Sequence, residues 1–193
     1  MKKVYIIHGW DGNPDEPLFQ WLKWNLEKDG YQVTVPAMPE PDVPKIETWI
    51  GKLQEIIEPN KETIIVGHSI GAQAVLRYLE TLPEGVKVAG LVLIAPWMEL
   101  DDETIKEEGE EVREIARPWV ETPINFEKVR THIGQAVAIF SDDDPFVPLS
   151  NRELFEKGLN AKTFVEHEKG HFGPGDNISE LPIALEQILE MAN

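Results

Sequence analysis

Thr63-Ile64-Ile65-Val66-Gly67-His68-Ser69-Ile70-Gly71-Ala72-Gln73-Ala74-Val75-Leu76-Arg77-Tyr78-Leu79 joins three kinds of local signal in seventeen residues. A short β-branched run comes first, then a G-x-S-x-G pentad, then apolar residues at helical spacing. A strand that turns sharply into a helix through such a pentad has the form of a nucleophile elbow. The turn forces the serine into a sparsely populated backbone conformation. Its neighbours two positions away lie against other backbone and favour glycine. The hydroxyl then stands at a helix N-terminus, whose unpaired amides favour negative charge. The plainer alternative is an ordinary strand-turn-helix junction in which Ser69 is the N-cap.

The same alternation extends outward in both directions. Strands are expected at Val4–Ile7, Gln32–Val35, Thr63–Val66, Gly90–Ile94, Ala136–Phe140 and Thr163–Glu166. Helices are expected at Pro17–Lys28, Ile46–Glu58, Ile70–Leu82, Asp102–Arg117, Asn151–Lys157 and Leu181–Met191. Runs such as Leu91-Val92-Leu93-Ile94 are apolar on both faces, as in parallel strands covered by helices on each side. Alternating β and α elements indicate a doubly wound α/β fold, with chemistry beyond the carboxyl ends of the strands. Four prolines between Pro36 and Pro44 exclude helix or central strand and imply a stiff loop, at a pocket rim or as a plain connection. Residues 99–117 carry nine acids and three bases, so any helix there has a solvated face. Ile105, Val112, Ile115 and Trp119 give it one buried stripe. It reads either as a crossover helix or, within 99–130, as a small helical cap over the site.

The 193 residues suit one domain spanning the whole chain. No apolar run approaches the roughly 18 residues of a membrane span. The N-terminal apolar run stops at His8-Gly9-Trp10, which suits a buried strand rather than a signal peptide, so a cytoplasmic protein is expected. With no cysteine, disulfides, thiolate catalysis and zinc-cysteine sites are excluded. The net charge of −17 repels nucleic acid and anionic lipid. No Walker or dinucleotide pattern follows the first strand, and no zincin spacing occurs, so neither cofactor nor metal is expected.

Serine needs a base to take its proton and a carboxylate to orient that base. Downstream of Ser69, and after expected strands, lie Ser141-Asp142-Asp143-Asp144-Pro145-Phe146-Val147-Pro148 and His167-Glu168-Lys169-Gly170-His171-Phe172-Gly173. His171 is the first choice for the base, because its glycine-flanked loop can swing an imidazole back over the sheet; His167 is the second. Asp144 is preferred as the acid, because Pro145 biases it to extended geometry at a turn. Asp142 or Asp143 could cap that turn instead. Two backbone amides should face the developing oxyanion. They are expected from Ile70, after the nucleophile, and from Trp10 in the loop after the first strand. Trp10, Trp97, Met98, Phe146 and Phe172 are candidates to line a substrate pocket, each with core packing as the alternative. His8 reads as structural.

Together, His8-Gly9-Trp10, Gly67-His68-Ser69-Ile70-Gly71, Asp144-Pro145-Phe146-Val147-Pro148 and Gly170-His171-Phe172 resemble the α/β-hydrolase superfamily. Within it, the chain is similar to the small serine hydrolases of the retinoblastoma-binding protein 9 family along nearly its whole length. That resemblance implies a minimal three-layer core of six parallel strands in the order 2-1-3-4-5-6. It also implies a triad of Ser69, Asp144 and His171. Lacking cysteine, the chain has no L-x-C-x-E motif, so retinoblastoma binding is not carried over. The expected activity is cofactor-free hydrolysis of small carboxylic esters through an acyl-enzyme. Amide or aminopeptidase-like hydrolysis by the same triad, and a non-catalytic binding protein on a hydrolase shell, are the alternatives. A small core under a short cap should favour short acyl chains. Hydrolysis rates of p-nitrophenyl esters are therefore expected to fall from acetyl to palmitoyl; a steady rise along that series would contradict the expectation.

Overall fold

In the computed structural model, which describes residues 1–191, six strands form one all-parallel sheet in the order β2-β1-β3-β4-β5-β6. The strands are β1 (Lys3–Ile7), β2 (Gln32–Thr34), β3 (Thr63–His68), β4 (Val88–Ile94), β5 (Ile133–Ser141) and β6 (Lys162–Glu166). The helices are α1 (Pro17–Lys28), α2 (Ile46–Ile56), α3 (Ile70–Glu80), α4 (Asp102–Glu108), α5 (Glu110–Glu121), α6 (Phe126–Thr131), α7 (Asn151–Leu159) and α8 (Pro182–Met191). No helix among the described residues is long and apolar enough to cross a membrane.

The period of two along the strands divides the interior into two cores. Val4, Ile6, Ile64, Val66, Val92, Ile94, Val137 and Ile139 face Phe19 and Leu22 of α1 and Ala184 and Ile188 of α8. Tyr5, Ile7, Ile65, Leu91, Leu93, Ala138 and Phe140 face the other layer, which holds Trp49 of α2, Leu76 of α3, Val129 of α6 and Phe155 of α7. Both faces are buried, which is why the strand sequences look uninterrupted rather than alternating.

One expected helix is divided. Asp102–Arg117 breaks at Gly109, whose φ of 108° no helix accommodates, and the second half continues through Pro118 to Glu121. The stripe divides as well: Trp119 and Ala116 are buried, whereas Ile105, Val112 and Ile115 are only half-buried. The carboxyl end of α5 is tied to the core by Arg77 of α3. Its Nη2 donates to the carbonyls of Trp119 and Thr122, and the guanidinium lies over the Trp119 ring. A cation suits those unpaired helix-end carbonyls. Helix α6 has no counterpart among the expected helices; its start is marked by Asn125, whose side chain accepts from the Lys128 amide as an N-cap.

The first turn of α3 presses on the end of β1. A Cβ placed on Gly71 would lie 2.4 Å from the His8 carbonyl oxygen and 2.7 Å from that of Ile7. Neither neighbour is a flexible side-chain tip, so the backbone itself would have to move. Gly71→Ala is expected to destabilise the protein by about 2 kcal/mol or more in urea denaturation. An unchanged midpoint would show that this contact can relax.

Candidate active site

Strand β3 ends at His68 and α3 begins at Ile70, leaving Ser69 alone at the turn with φ 52° and ψ −122°. That conformation costs a non-glycine residue about 1–3 kcal/mol and persists only where its surroundings over-determine it. Here the Ser69 amide donates to Ile94 of β4, and its carbonyl accepts from Ala72. The loop after β1 closes the other side. A Cβ on Gly9 would sit 2.9 Å from His68 Nδ1 and 3.3 Å from Ser69 Cβ, so backbone runs directly against the elbow.

Two more loops converge from the carboxyl ends of β5 and β6. His171 Nδ1–H donates to Asp144 Oδ2 at 2.8 Å, and its Nε2 lies 2.8 Å from Ser69 Oγ. A carboxylate partner on Nδ1 leaves Nε2 as the bare nitrogen, positioned to receive the serine proton. The Asp144 side chain is 2% exposed and the His171 side chain 19%. Asp144 Oδ1 accepts the amides of Phe146 and Val147, so both of its oxygens are occupied. Phe146 meets the His171 ring edge-on, with centroids 5.2 Å apart.

The neighbouring aspartates take other tasks. Asp143 Oδ1 accepts the Ser141 hydroxyl and the Gly170 amide, which together hold its carboxyl below the usual range. Asp142 bonds His167 Nδ1 and the Glu168 amide; its pKa falls and that of His167 rises, chiefly through their mutual hydrogen bond. His167 is therefore exposed, engaged with Asp142, and not joined to Ser69. Both pairs brace the 167–170 loop against the end of β5.

The proline-bearing loop 36–44 braces the β1 loop. Its carbonyls accept the Trp10 indole at Asp42 and the Asp11 amide at Pro41. Pro39 and Pro44 likewise accept the indoles of Trp49 and Trp119. His8 completes the brace: Nε2 accepts from the Met38 amide, so Nδ1–H donates to the Gly9 carbonyl. Burial lowers the pKa of His8 and keeps it neutral in that arrangement. Ile70 is the first residue of α3, so its amide has no intrahelical partner.

A cavity of about 430 Å³ opens over Ser69 and His171. Trp10, Trp97 and Phe146 line it. Met98 and Phe172 do not. The Met98 amide is bonded to Asn151 Oδ1, and the residue packs half-buried on the core. Phe172, with φ 58°, turns into the opposite core beside α1 and α8 and is 1% exposed. Leu100, Ile105 and Val112 line the cavity instead, with Asp11, Glu108 and an edge of His68. Ile105 and Val112 were legible as one helical stripe, but the face they present depends on the break at Gly109. A larger cleft, about 640 Å³, lies between α4 and α5 and is lined by neither Ser69 nor His171, so the smaller cavity is the candidate site. Among the described residues no group of His, Asp or Glu could hold a metal ion.

A family model described as serine hydrolase matches residues 4–190. The chain is 29% identical over 191 residues to the YdeN hydrolase of Bacillus subtilis (strain 168), covering 94% of this chain and 92% of that protein. To the serine hydrolase RBBP9 of Rattus norvegicus it is 30% identical over 167 residues, covering 86% and 78%. The crystal structure of the B. subtilis ydeN product matches with a TM-score of 0.85 at 26% identity, over 99% of this chain and 98% of that one. Est1E from Butyrivibrio proteoclasticus, solved with ferulic acid bound, shares the fold at a TM-score of 0.70 and 16% identity, over 99% and 89%.

One buried group gives the fold an acid dependence. Burial first, and the nearby His171 second, lower His68 from 6.5 to about 3. Between those values the unfolded chain binds a proton that the folded ring refuses. The stability held at this position above pH 6.5 is thus withdrawn as pH falls toward 3, by up to about 1.4 kcal/mol per pH unit. Urea denaturation near pH 7 and near pH 4.5 is expected to show a steeper acid loss in the parent than in His68→Gln. Equal losses would mean that His68 does not titrate this way.

Proposed function

Because the chain belongs to the serine hydrolase family, we propose that it cleaves small carboxylic esters through Ser69, His171 and Asp144. The observation that carries this reading is the continuous relay from Asp144 Oδ2 through the His171 ring to Ser69 Oγ, with both contacts at 2.8 Å. Ser69 Oγ attacks the ester carbonyl while His171 Nε2 takes its proton. Asp144 fixes the ring's orientation and stabilises the imidazolium that forms. The amides of Ile70 and Trp10 receive the oxyanion; the first lies at a helix N-terminus and the second in a loop pinned by His8 and loop 36–44. The imidazolium returns the proton to the departing alcohol, leaving an acyl-enzyme. Water, deprotonated by His171, then adds to the acyl carbon; the bond to Ser69 Oγ breaks, the imidazolium returns the proton to Oγ, and the acid leaves.

The cavity supports a modest substrate. Its volume of about 430 Å³ lies toward the lower end for ligand sites, and its walls are mainly Trp10, Trp97, Leu100, Ile105, Val112 and Phe146. An apolar acyl or alcohol group fits such walls better than a charged one. The net charge of −17 favours free small substrates over nucleic acid or anionic membrane.

A fluorophosphonate probe is expected to label Ser69 in the parent and to leave Ser69→Ala unlabelled. Ser69→Ala and His171→Ala should each lose about six orders of magnitude in kcat on a p-nitrophenyl ester. Asp144→Asn should lose about four orders of magnitude while staying folded, because the His171 tautomer would be wrong. Parent-level turnover by Ser69→Ala would end the proposal.

A further inference from the structure

The mechanism leaves one buried imidazole unused. His68 is 5% exposed and lies between the elbow and the loop that carries the base. Its Nε2–H donates to the backbone carbonyl of His171 at 2.8 Å, across 103 positions of sequence. The two rings are 5.2 Å apart. Its Nδ1 is buried and has no hydrogen-bond partner among the described residues. An apolar side chain would fill this place without a buried orphan acceptor, which ordinarily disfavours the folded state. What histidine adds is the single donated hydrogen bond.

The recipient of that bond is in a loop that needs holding. Glu168, Gly170 and Phe172 have φ of 51°, 53° and 58°, so the backbone around His171 is left-handed at every second residue. Such a path survives only when fixed from outside. The amides are fixed: Lys169 donates to Ser141 Oγ, Gly170 to Asp143 Oδ1 and His171 to Asp176 Oδ2. On the carbonyl side of His171 the hold comes from His68. The residue beside the proposed nucleophile thus grips the backbone of the proposed base.

We propose that His68 is a positioning residue: by holding the His171 carbonyl, its Nε2–H keeps the His171 ring in line between Asp144 and Ser69. This rests on the triad reading given above. Burial keeps the His68 ring neutral, so the donor stays on Nε2 and no second positive charge competes with the imidazolium that forms on His171. A ring displaced by an ångström can cost about 100-fold in rate.

The test compares His68→Phe, which keeps a ring and removes the donor, with His68→Gln, whose amide nitrogen has similar reach. His68→Phe is expected to lose about 30- to 100-fold in kcat on a p-nitrophenyl ester, with KM within about two-fold of the parent. His68→Gln should recover most of that loss. Folding is checked by circular dichroism, and the active fraction by fluorophosphonate titration. Parent-like kcat in folded His68→Phe overturns the proposal, and so does equal loss in both variants. A readout independent of either variant is ¹⁵N-imidazole NMR of the parent, which should find His68 neutral with its proton on Nε2; a proton on Nδ1 overturns the proposal. If Ser69→Ala and His171→Ala are inactive while His68→Phe is not, only this inference fails. If Ser69→Ala remains active, the triad reading fails first.

Discussion

The site depends on one backbone approach, that of the first turn of α3 against the end of β1. Gly71 lies against the carbonyls of Ile7 and His8 with no room for a side chain. That contact sets how sharply the chain turns at Ser69, and so why a serine is held at φ 52°. It also places the loop that begins at His8 beside the elbow, with Gly9 against Ser69 Cβ. A serine on a relaxed strand-to-helix turn would share neither this place at the cavity wall nor this backbone neighbour. The strain is local, and two buried cores stabilise the sheet beneath it.

Around that fixed point the protein anchors loops rather than lengthening elements. Three successive aspartates bond three different things: His167, the Ser141–Gly170 bridge, and His171. Of the three, Asp144 has its side chain buried, and burial strengthens the pull of its charge on the neighbouring His171 ring. Loop 36–44 uses backbone carbonyls in the same anchoring way, accepting the indoles of Trp10, Trp49 and Trp119. Proline suits such a segment, because it stiffens the chain while keeping its carbonyl free. These ties make the loops part of the scaffold and let a chain this short present an ordered site.

Helices α4 and α5 are held differently. α4 buries none of its residues, and α5 is fixed mainly through Trp119 and the Arg77 contacts at its far end. Their half-buried Ile105 and Val112 form part of the cavity wall. The cavity is therefore bounded on one side by the rigid sheet edge and on the other by a segment with little core attachment. Elements with few buried contacts open at low free energy, so shape on this side of the cavity is the more easily changed.

Much of this was written in local sequence. The alternation of β-branched and helical segments gave the parallel α/β class, and the pentad at 67–71 located the turn, because strand, tight turn and helix are each short-range phenomena. The strand order came from resemblance, not from periodicity. The chain order Ser69, Asp144, His171 is read directly from the sequence, and the fold brings these three side chains together. Asp144 differs from its two neighbours by the proline that follows it, a local signal. What sequence could not fix is where a side chain goes after a turn. Phe172 follows a left-handed reversal into the far core, and Met98 is drawn aside by Asn151, so neither reaches the cavity. The break at Gly109, which brings Ile105 and Val112 to the cavity, was likewise invisible. Local physics determines which segments can be strand, turn or helix; long-range packing decides which face of a loop looks at Ser69, because that choice is made by residues a hundred positions away.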